Sequence, residues 1–334
     1  MQLTQDLEGK VISAVKEFAA SISPGRSVIA DMSALVDATS QIPLSNLEYW
    51  ERLIRSEFSS ALESTPKPKW KLGSKRPTPL TWIDITSWDG YRREKTLRTL
   101  TGPAPNSFFF SLALRRLNDW VPQVREAARE KLSELVDSSS PNHVVDALCI
   151  TLPHWNSWGR MGEPDKKILL QIVSKEVVAE ALKEKIVSAT SGPMASIFAQ
   201  ASRTEVLDSH LDEIAKNSTQ PAVRAKAYRS KFEGKITWFE GRKWEWTDIR
   251  YCESRLRPIV SERNLTITSP FLETLRSAAA DRSPMVRKIA AEILIRELDV
   301  IGKESSELAN LFASDASPAV AERGQFALKR MKEI

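Results

Sequence analysis

The sequence predicts an all-α protein built from repeated helical hairpins. Three observations predict it. Glycine is scarce, 12 residues in 334, about half the usual share of ~7%, whereas sheet proteins spend glycine on tight turns. Ala, Leu, Glu, Lys and Arg, the good helix formers, dominate long stretches. A proline-led motif also recurs along the chain. Asp119-Trp-Val-Pro122-Gln-Val124-Arg125-Glu-Ala127-Ala128 returns as Asp281-Arg-Ser-Pro284-Met-Val286-Arg287-Lys-Ile289-Ala290. It returns again as Asp315-Ala-Ser-Pro318-Ala-Val320-Ala321, without the arginine, and as Ser218-Thr-Gln-Pro221-Ala-Val223-Arg224-Ala-Lys-Ala227, with Ser for Asp. From Pro122 to Pro221, Pro284 and Pro318 the steps are about three, two and one units of roughly 31 to 34 residues, the size of a two-helix repeat.

Each motif position has a physical reason. Proline suits a helix's first turn, where its missing N–H would have had no partner. Ser283 and Ser317 stand in N-cap position. Val286, Ile289, Ala290 and Ile293 follow at helical spacing, as do Val124, Ala127, Ala128, Leu132 and Leu135. Upstream of Asp119, the stripe Phe110, Ala113, Leu114 and Leu117 marks a partner helix, so helix, turn and helix make one hairpin. Asp119 and Arg125, like Asp281 and Arg287, recur in register, which predicts a carboxylate–guanidinium ladder between stacked repeats. Ala321 replaces the arginine in the last copy, and Glu322, Arg323, Gly324 and Lys329 lie beside it. A terminal repeat has no successor and a polar outer face.

The Asp-x-x-Pro-x-Val-Arg-x-x-Ala pattern resembles HEAT repeats, the helical hairpins of armadillo-like solenoids. The likeness is good over 108–136 and 270–334, fair over 195–232, and poor over 1–100 and 233–268. It implies a right-handed α-α superhelical solenoid whose concave surface holds a partner. Members of that superfamily range from scaffolds to nucleic-acid binders, and one bacterial branch comprises DNA glycosylases that remove alkylated bases. No local motif matches that branch, so no catalytic residue is carried over from it.

Outside the motif, helices are expected over 3–20 (Leu7, Val11, Ile12 and Val15 on one face, closed by Pro24-Gly25), 27–40, 44–63 and 166–187. Residues 1–63 form an N-terminal helical region. Residues 64–81 hold Pro66, Pro68, Gly73, Pro77 and Pro79 and read as a loop. Residues 82–334 carry the repeats, with 141–165 irregular in part. A Trp-rich irregular insertion is expected near 233–247, where Thr, Trp and Phe alternate around Gly241 and a short β-hairpin is one outcome.

The chemistry-bearing motifs are few. GxGxxG, GxxxxGK[ST], GxSxG, HExxH and CxxC are all missing. His143, His154 and Cys149 match no metal spacing, and Cys149 reads as a small core residue. No metal or cofactor is expected. Two segments stand out as contact candidates. Lys67, Lys69, Lys71, Lys75 and Arg76 surround Trp70 with no acid among them, a pattern suited to phosphates and a stacked base as well as to a solvated linker. Trp238, Trp244 and Trp246, with Arg242 and Lys243, have the composition of an interaction hot spot and equally of local packing over an insertion. Trp82, Trp88, Trp155 and Trp158 read as structural wedges, and Arg125 and Arg224 as structural.

The 48 Lys and Arg against 43 Asp and Glu give +5 and a pI near 9.1, a mild excess for a nucleic-acid binder. With no apolar stretch near ~18 residues, two cysteines and a polar N-terminus, the sequence points to a cytoplasmic protein without a membrane span. The leading expectation is a non-enzymatic scaffold or adaptor that binds a protein partner. The alternative, which the resemblance implies, is a nucleic-acid-binding protein of the HEAT-like type, up to a base-excision enzyme related to the glycosylases that remove alkylated bases.

Overall fold

The computed structural model describes residues 2–22, 31–64, 80–302 and 304–333. Pro24-Gly25 and residues 65–79, with Lys67, Lys69, Trp70, Lys71, Lys75 and Arg76, lie outside the described residues. The chain forms two compact units, Met1–Ile172 and Val173–Ile334. No described helix is long and apolar enough to cross a membrane.

The first unit is helical. It contains α1 (Gln2–Ser21), α2 (Ser33–Ser40), α3 (Leu47–Ser64), α4 (Gly90–Thr99), α5 (Ser107–Arg115), α6 (Pro122–Ser138), α7 (Pro141–Thr151) and nearly all of α8 (Glu163–Val173). A short 3-10 helix at Trp82–Thr86 precedes α4, and another at Arg116–Asn118 follows α5. Helix α1 packs on α3, α4 on α6 and α5 on α7. Phe108, Phe109, Phe110, Leu112, Ala113 and Leu114 of α5 are buried, which makes it the unit's central helix. The span 141–165 is irregular in part: Pro141 starts a full helix, and the irregularity lies in the stretch after Thr151.

The second unit holds α9 (Glu176–Ser188), α10 (Met194–Ala201), α11 (Leu211–Asn217), α12 (Pro221–Glu233), a β-hairpin, α13 (Phe271–Ala279), α14 (Pro284–Arg296), α15 (Leu298–Ile301), α16 (Glu304–Ala313) and α17 (Pro318–Arg330). Consecutive helices pack as pairs, α11 with α12, α13 with α14 and α16 with α17. The proline-led members also touch in order, α12 on α14 and α14 on α17. Pro122, Pro221, Pro284 and Pro318 all stand in the first turn of their helices. Ser283 caps α14 by accepting from the Met285 N–H at 3.3 Å. Ser317 makes no such bond; there Asp315 Oδ1 accepts from the Ser317 N–H at 2.8 Å.

That aspartate turn is a repeated device. Asp119 Oδ1 accepts from the Val121 N–H and Asp281 Oδ1 from the Ser283 N–H, the local bond that makes Asp a turn residue. The motif arginine binds backward in three copies and also forward in two of them. Arg125, Arg224 and Arg287 each donate to the main-chain carbonyl six residues upstream, at Asp119, Ser218 and Asp281. The carboxylate six residues upstream of Arg287 is not its partner. Arg224 instead grips Asp281, and Arg287 grips Asp315, each through two hydrogen bonds. Arg93 of α4 does the same toward Asp119, while donating to the Ser87 and Trp88 carbonyls. Ser87-x-x-Gly90-x-x-Arg93 is therefore another copy of the device, with glycine in the proline place. A Cβ at Gly90 would lie 2.9 Å from Val121 Cγ2.

The Trp-rich insertion is regular rather than irregular, and longer than expected. Gly234, in the left-handed region at φ 64°, ends α12. The chain then runs up β1 (Lys235–Asp248) and back down β2 (Glu253–Asn264) as an antiparallel pair. The β-branched and aromatic residues that broke the helical pattern are those favoured on a pleated surface. The all-α expectation thus needs one amendment, a two-stranded sheet.

Candidate functional site

One helix face lays the floor of a cavity in the first unit. On α3, Leu47, Trp50, Ile54 and Phe58 turn inward. Glu48, Glu51, Arg52 and Arg55 recur at the i, i+3, i+4 and i+7 positions of another stripe. That stripe meets Trp88 and Arg93 at the start of α4, Arg115, Arg116, Asn118, Asp119 and Trp120 between α5 and α6, and Arg160 beyond α7. Together they line a cavity of about 620 Å³.

Six guanidinium groups face three carboxylates there. Two of the acids are buried and fully used. Asp119 receives Arg93 Nε at 2.9 Å and Nη2 at 2.7 Å, with Arg116 Nη1 at 3.1 Å. Glu51 receives Arg116 Nη2 at 2.5 Å, Arg115 Nη1 at 3.2 Å and Arg55 Nη1 at 4.0 Å. Glu48, at the exposed edge, is shared by Arg52 and Arg115. Arg160 has no ion pair among the described residues; its main-chain N–H is held by Asn118 Oδ1 at 3.1 Å. The cavity is left with three positive charges in excess.

The electrostatics register that excess. Burial weighs against ionisation of Asp119, but the hydrogen bonds from Arg93 and the Val121 N–H and the charges of Arg116 and Arg93 outweigh it and hold the carboxyl below the usual range. Burial pulls the Arg55 guanidinium below the ordinary arginine value; Glu51 opposes this, and Arg116, Arg93 and Arg52 add to it. Arg55 stays a cation at neutral pH, but one crowded by its own kind. Its Nε–H is buried without an acceptor, an arrangement that costs free energy until an acceptor is supplied.

Two indoles stand at this cavity. Arg55 lies over the Trp88 ring, with Cζ 3.8 Å from the centroid, yet Trp88 remains 71% exposed and Trp120 70%. Trp88 is therefore not the structural wedge expected of it. Trp82 and Trp155 are, being buried at 7% and 1%.

The other predicted contact residues divide. Trp238 is a packing residue: its Nε1–H donates to Glu240 Oε1 at 2.7 Å, and Arg203 lies beside its ring. Trp244 and Trp246 are exposed. The strand register, with its irregularity between Phe239 and Gly241, puts Phe239, Arg242, Trp244 and Trp246 of β1 on one face with Val260, Pro258 and Leu256 of β2. Lys243 falls on the opposite face with Arg257. The hairpin base is anchored by Arg263, which holds Asp208 with bonds of 2.6 and 2.9 Å, and by Gln200 donating to the Phe239 carbonyl. His143 and Cys149 share α7, and no group of three potential metal ligands occurs among the described residues. Compared with known proteins, the chain matches no family model, no curated protein and no solved structure.

The cavity was out of reach of a local motif search, because its residues come from segments separated by tens of residues. One signal was available: charged residues at helical spacing on α3, with an Arg115-Arg116 doublet and Asp119 on a second segment.

Proposed function

We propose that the chain binds nucleic acid through the arginine-lined cavity of its first unit. One observation carries this reading: six guanidinium groups face only three carboxylates, beside two exposed indoles. A phosphate backbone supplies the acceptors and negative charge that the cavity lacks, and base faces match indoles. In sequence the basic Lys67–Arg76 segment lies between α3 and the 3-10 helix that precedes Trp88. The architecture we propose is a right-handed HEAT-like solenoid, supported by the proline-led helix starts and the repeated Arg–Asp pairs. We read the protein as cytoplasmic from its sparse, unpaired cysteines. In a gel shift with a mixed-sequence oligonucleotide, binding should weaken steeply as salt rises and fall further in Arg52→Glu/Arg160→Glu. Retention of affinity in that double variant at low salt contradicts the reading.

The hairpin supports a second reading, a scaffold that docks a protein. Trp244, Trp246, Leu256, Val260 and Phe239 form an exposed apolar face, and such faces mark interaction sites. Arg242, on this face and without an ion pair among the described residues, favours an acidic partner. Pull-down with wild type and Trp244→Ser/Trp246→Ser distinguishes this reading, which requires a stoichiometric partner lost in the double variant.

A further inference from the structure

We infer that the cavity selects single-stranded nucleic acid over duplex, by stacking an unpaired base on Trp88 and another on Trp120. This rests on the nucleic-acid reading above and specifies its ligand. The argument begins with the two faces of one ring. Arg55 occupies one face of Trp88, with Cζ 3.8 Å from the centroid. The side chain is nevertheless 71% exposed, so the other face is open to solvent. A guanidinium stacked on one face fixes the indole's plane and makes the opposite face a ready platform. Trp120 offers a second exposed ring at the same cavity.

A duplex cannot use these platforms. Its bases are stacked on each other and present only their edges in the grooves, whereas an unpaired base presents a whole face to an aromatic side chain. The charges divide the labour. Arg93 and Arg116 are buried and committed to Asp119 and Glu51, so they shape the floor. Arg52 and Arg160 are exposed, and serve phosphates of either kind of strand. Charge thus gives affinity for both forms, and the indoles give the preference.

The test is fluorescence anisotropy on the full chain. The probes are a labelled single strand of about 12 nucleotides, within the span such sites cover, and its duplex. The single strand should bind about a hundredfold tighter, the size expected from stacking two bases. Trp88→Ala and Trp120→Ala should each cost the single strand about tenfold and the duplex clearly less, while Trp88→Phe, which keeps a ring, should retain much of the preference. Circular dichroism checks that each variant is folded, and because Trp120 is not under Arg55, its variant tests the idea independently of Arg55 packing. Equal binding of the two forms, or tryptophan variants that keep the full preference, overturns the inference; if Arg52→Glu/Arg160→Glu still weakens both forms, the parent reading survives. Binding of neither form overturns both.

Discussion

Arg224 and Asp281 meet as a two-bond ion pair, Nε to Oδ2 at 2.8 Å and Nη2 to Oδ1 at 2.9 Å, with the arginine side chain only 1% exposed. The same guanidinium donates to the Ser218 carbonyl at 2.8 Å, and Asp281 also accepts from the Ser283 N–H at 2.7 Å. One pair thus ties the turn that starts α12 to the turn that starts α14. Arg287 with Asp315, and Arg93 with Asp119, repeat the arrangement.

Removing one member leaves the other buried without its partner. Arg224→Ala or Asp281→Ala should each cost about 3–5 kcal/mol, read as a lower midpoint in urea denaturation. The double variant should cost much less than the sum of the two. An additive double variant would show that the pair is not the unit of stability.

Gly324 lies within α17, where a Cβ would sit 2.1 Å from the Ala313 main-chain N and 2.5 Å from the Phe312 carbonyl carbon. Backbone cannot yield as a side-chain tip can, so Gly324→Ala should force α16 and α17 apart and lower the Tm. Gly9→Ala, in α1 with nothing within 4 Å of the added carbon, should instead be neutral or stabilising by up to about 1 kcal/mol. Equal effects at the two sites would refute the close approach.

Acid should loosen the turns. The bonds from Arg287 hold Asp315 below the usual aspartate range; burial opposes, and the Ser317 N–H adds to the lowering. At Asp208 burial acts upward first, but Arg263 and the Thr266 N–H prevail and its carboxyl is also lowered. A carboxyl depressed in the folded state contributes stability that is complete above its unfolded value, near 3.9, and is lost as pH falls through its folded value. The Tm should therefore hold from neutrality to about pH 5 and drop below pH 4. Asp315→Asn should be less stable at neutral pH and show a shallower acid limb; an identical limb would remove Asp315 from the account.

The hairpin's exposed and anchoring residues should behave differently. Trp244→Ala and Trp246→Ala remove exposed rings and should change stability by less than about 0.5 kcal/mol. Arg263→Ala strips the bonds to Asp208 and to the Ser202 and Thr204 carbonyls, and should speed amide exchange at both ends of the hairpin. Unchanged exchange would mean that β1 and β2 hold without this anchor.

The motif made the starts of α6, α12, α14 and α17 legible, because proline in a first turn has a single local cause. It also foretold an Arg–Asp ladder, though not its connectivity: the carboxylate six residues from Arg287 is bound by Arg224, one hairpin earlier. The copy around Arg93 was hidden because Gly90, needed against Val121, replaces the proline. The alternation of Thr, Trp and Phe signalled strand, but in β2 (Glu253–Asn264) Leu256 and Val260 stand among Arg255, Arg257, Glu262 and Arg263, and Pro258 interrupts the run, so its strand pattern was masked. The cavity was hidden for a different reason. Trp88 and Arg55 are neighbours only after folding, and composition does not tell an exposed indole from a buried one such as Trp155.

The salt dependence of oligonucleotide binding tests the central claim most directly. Log affinity plotted against log salt should fall with a clear negative slope, and Arg160→Ala should make that slope shallower by about 1, the share of one phosphate contact. A slope near zero in the wild type, or one that Arg160→Ala leaves untouched, would contradict the assignment of this cavity to a phosphate backbone.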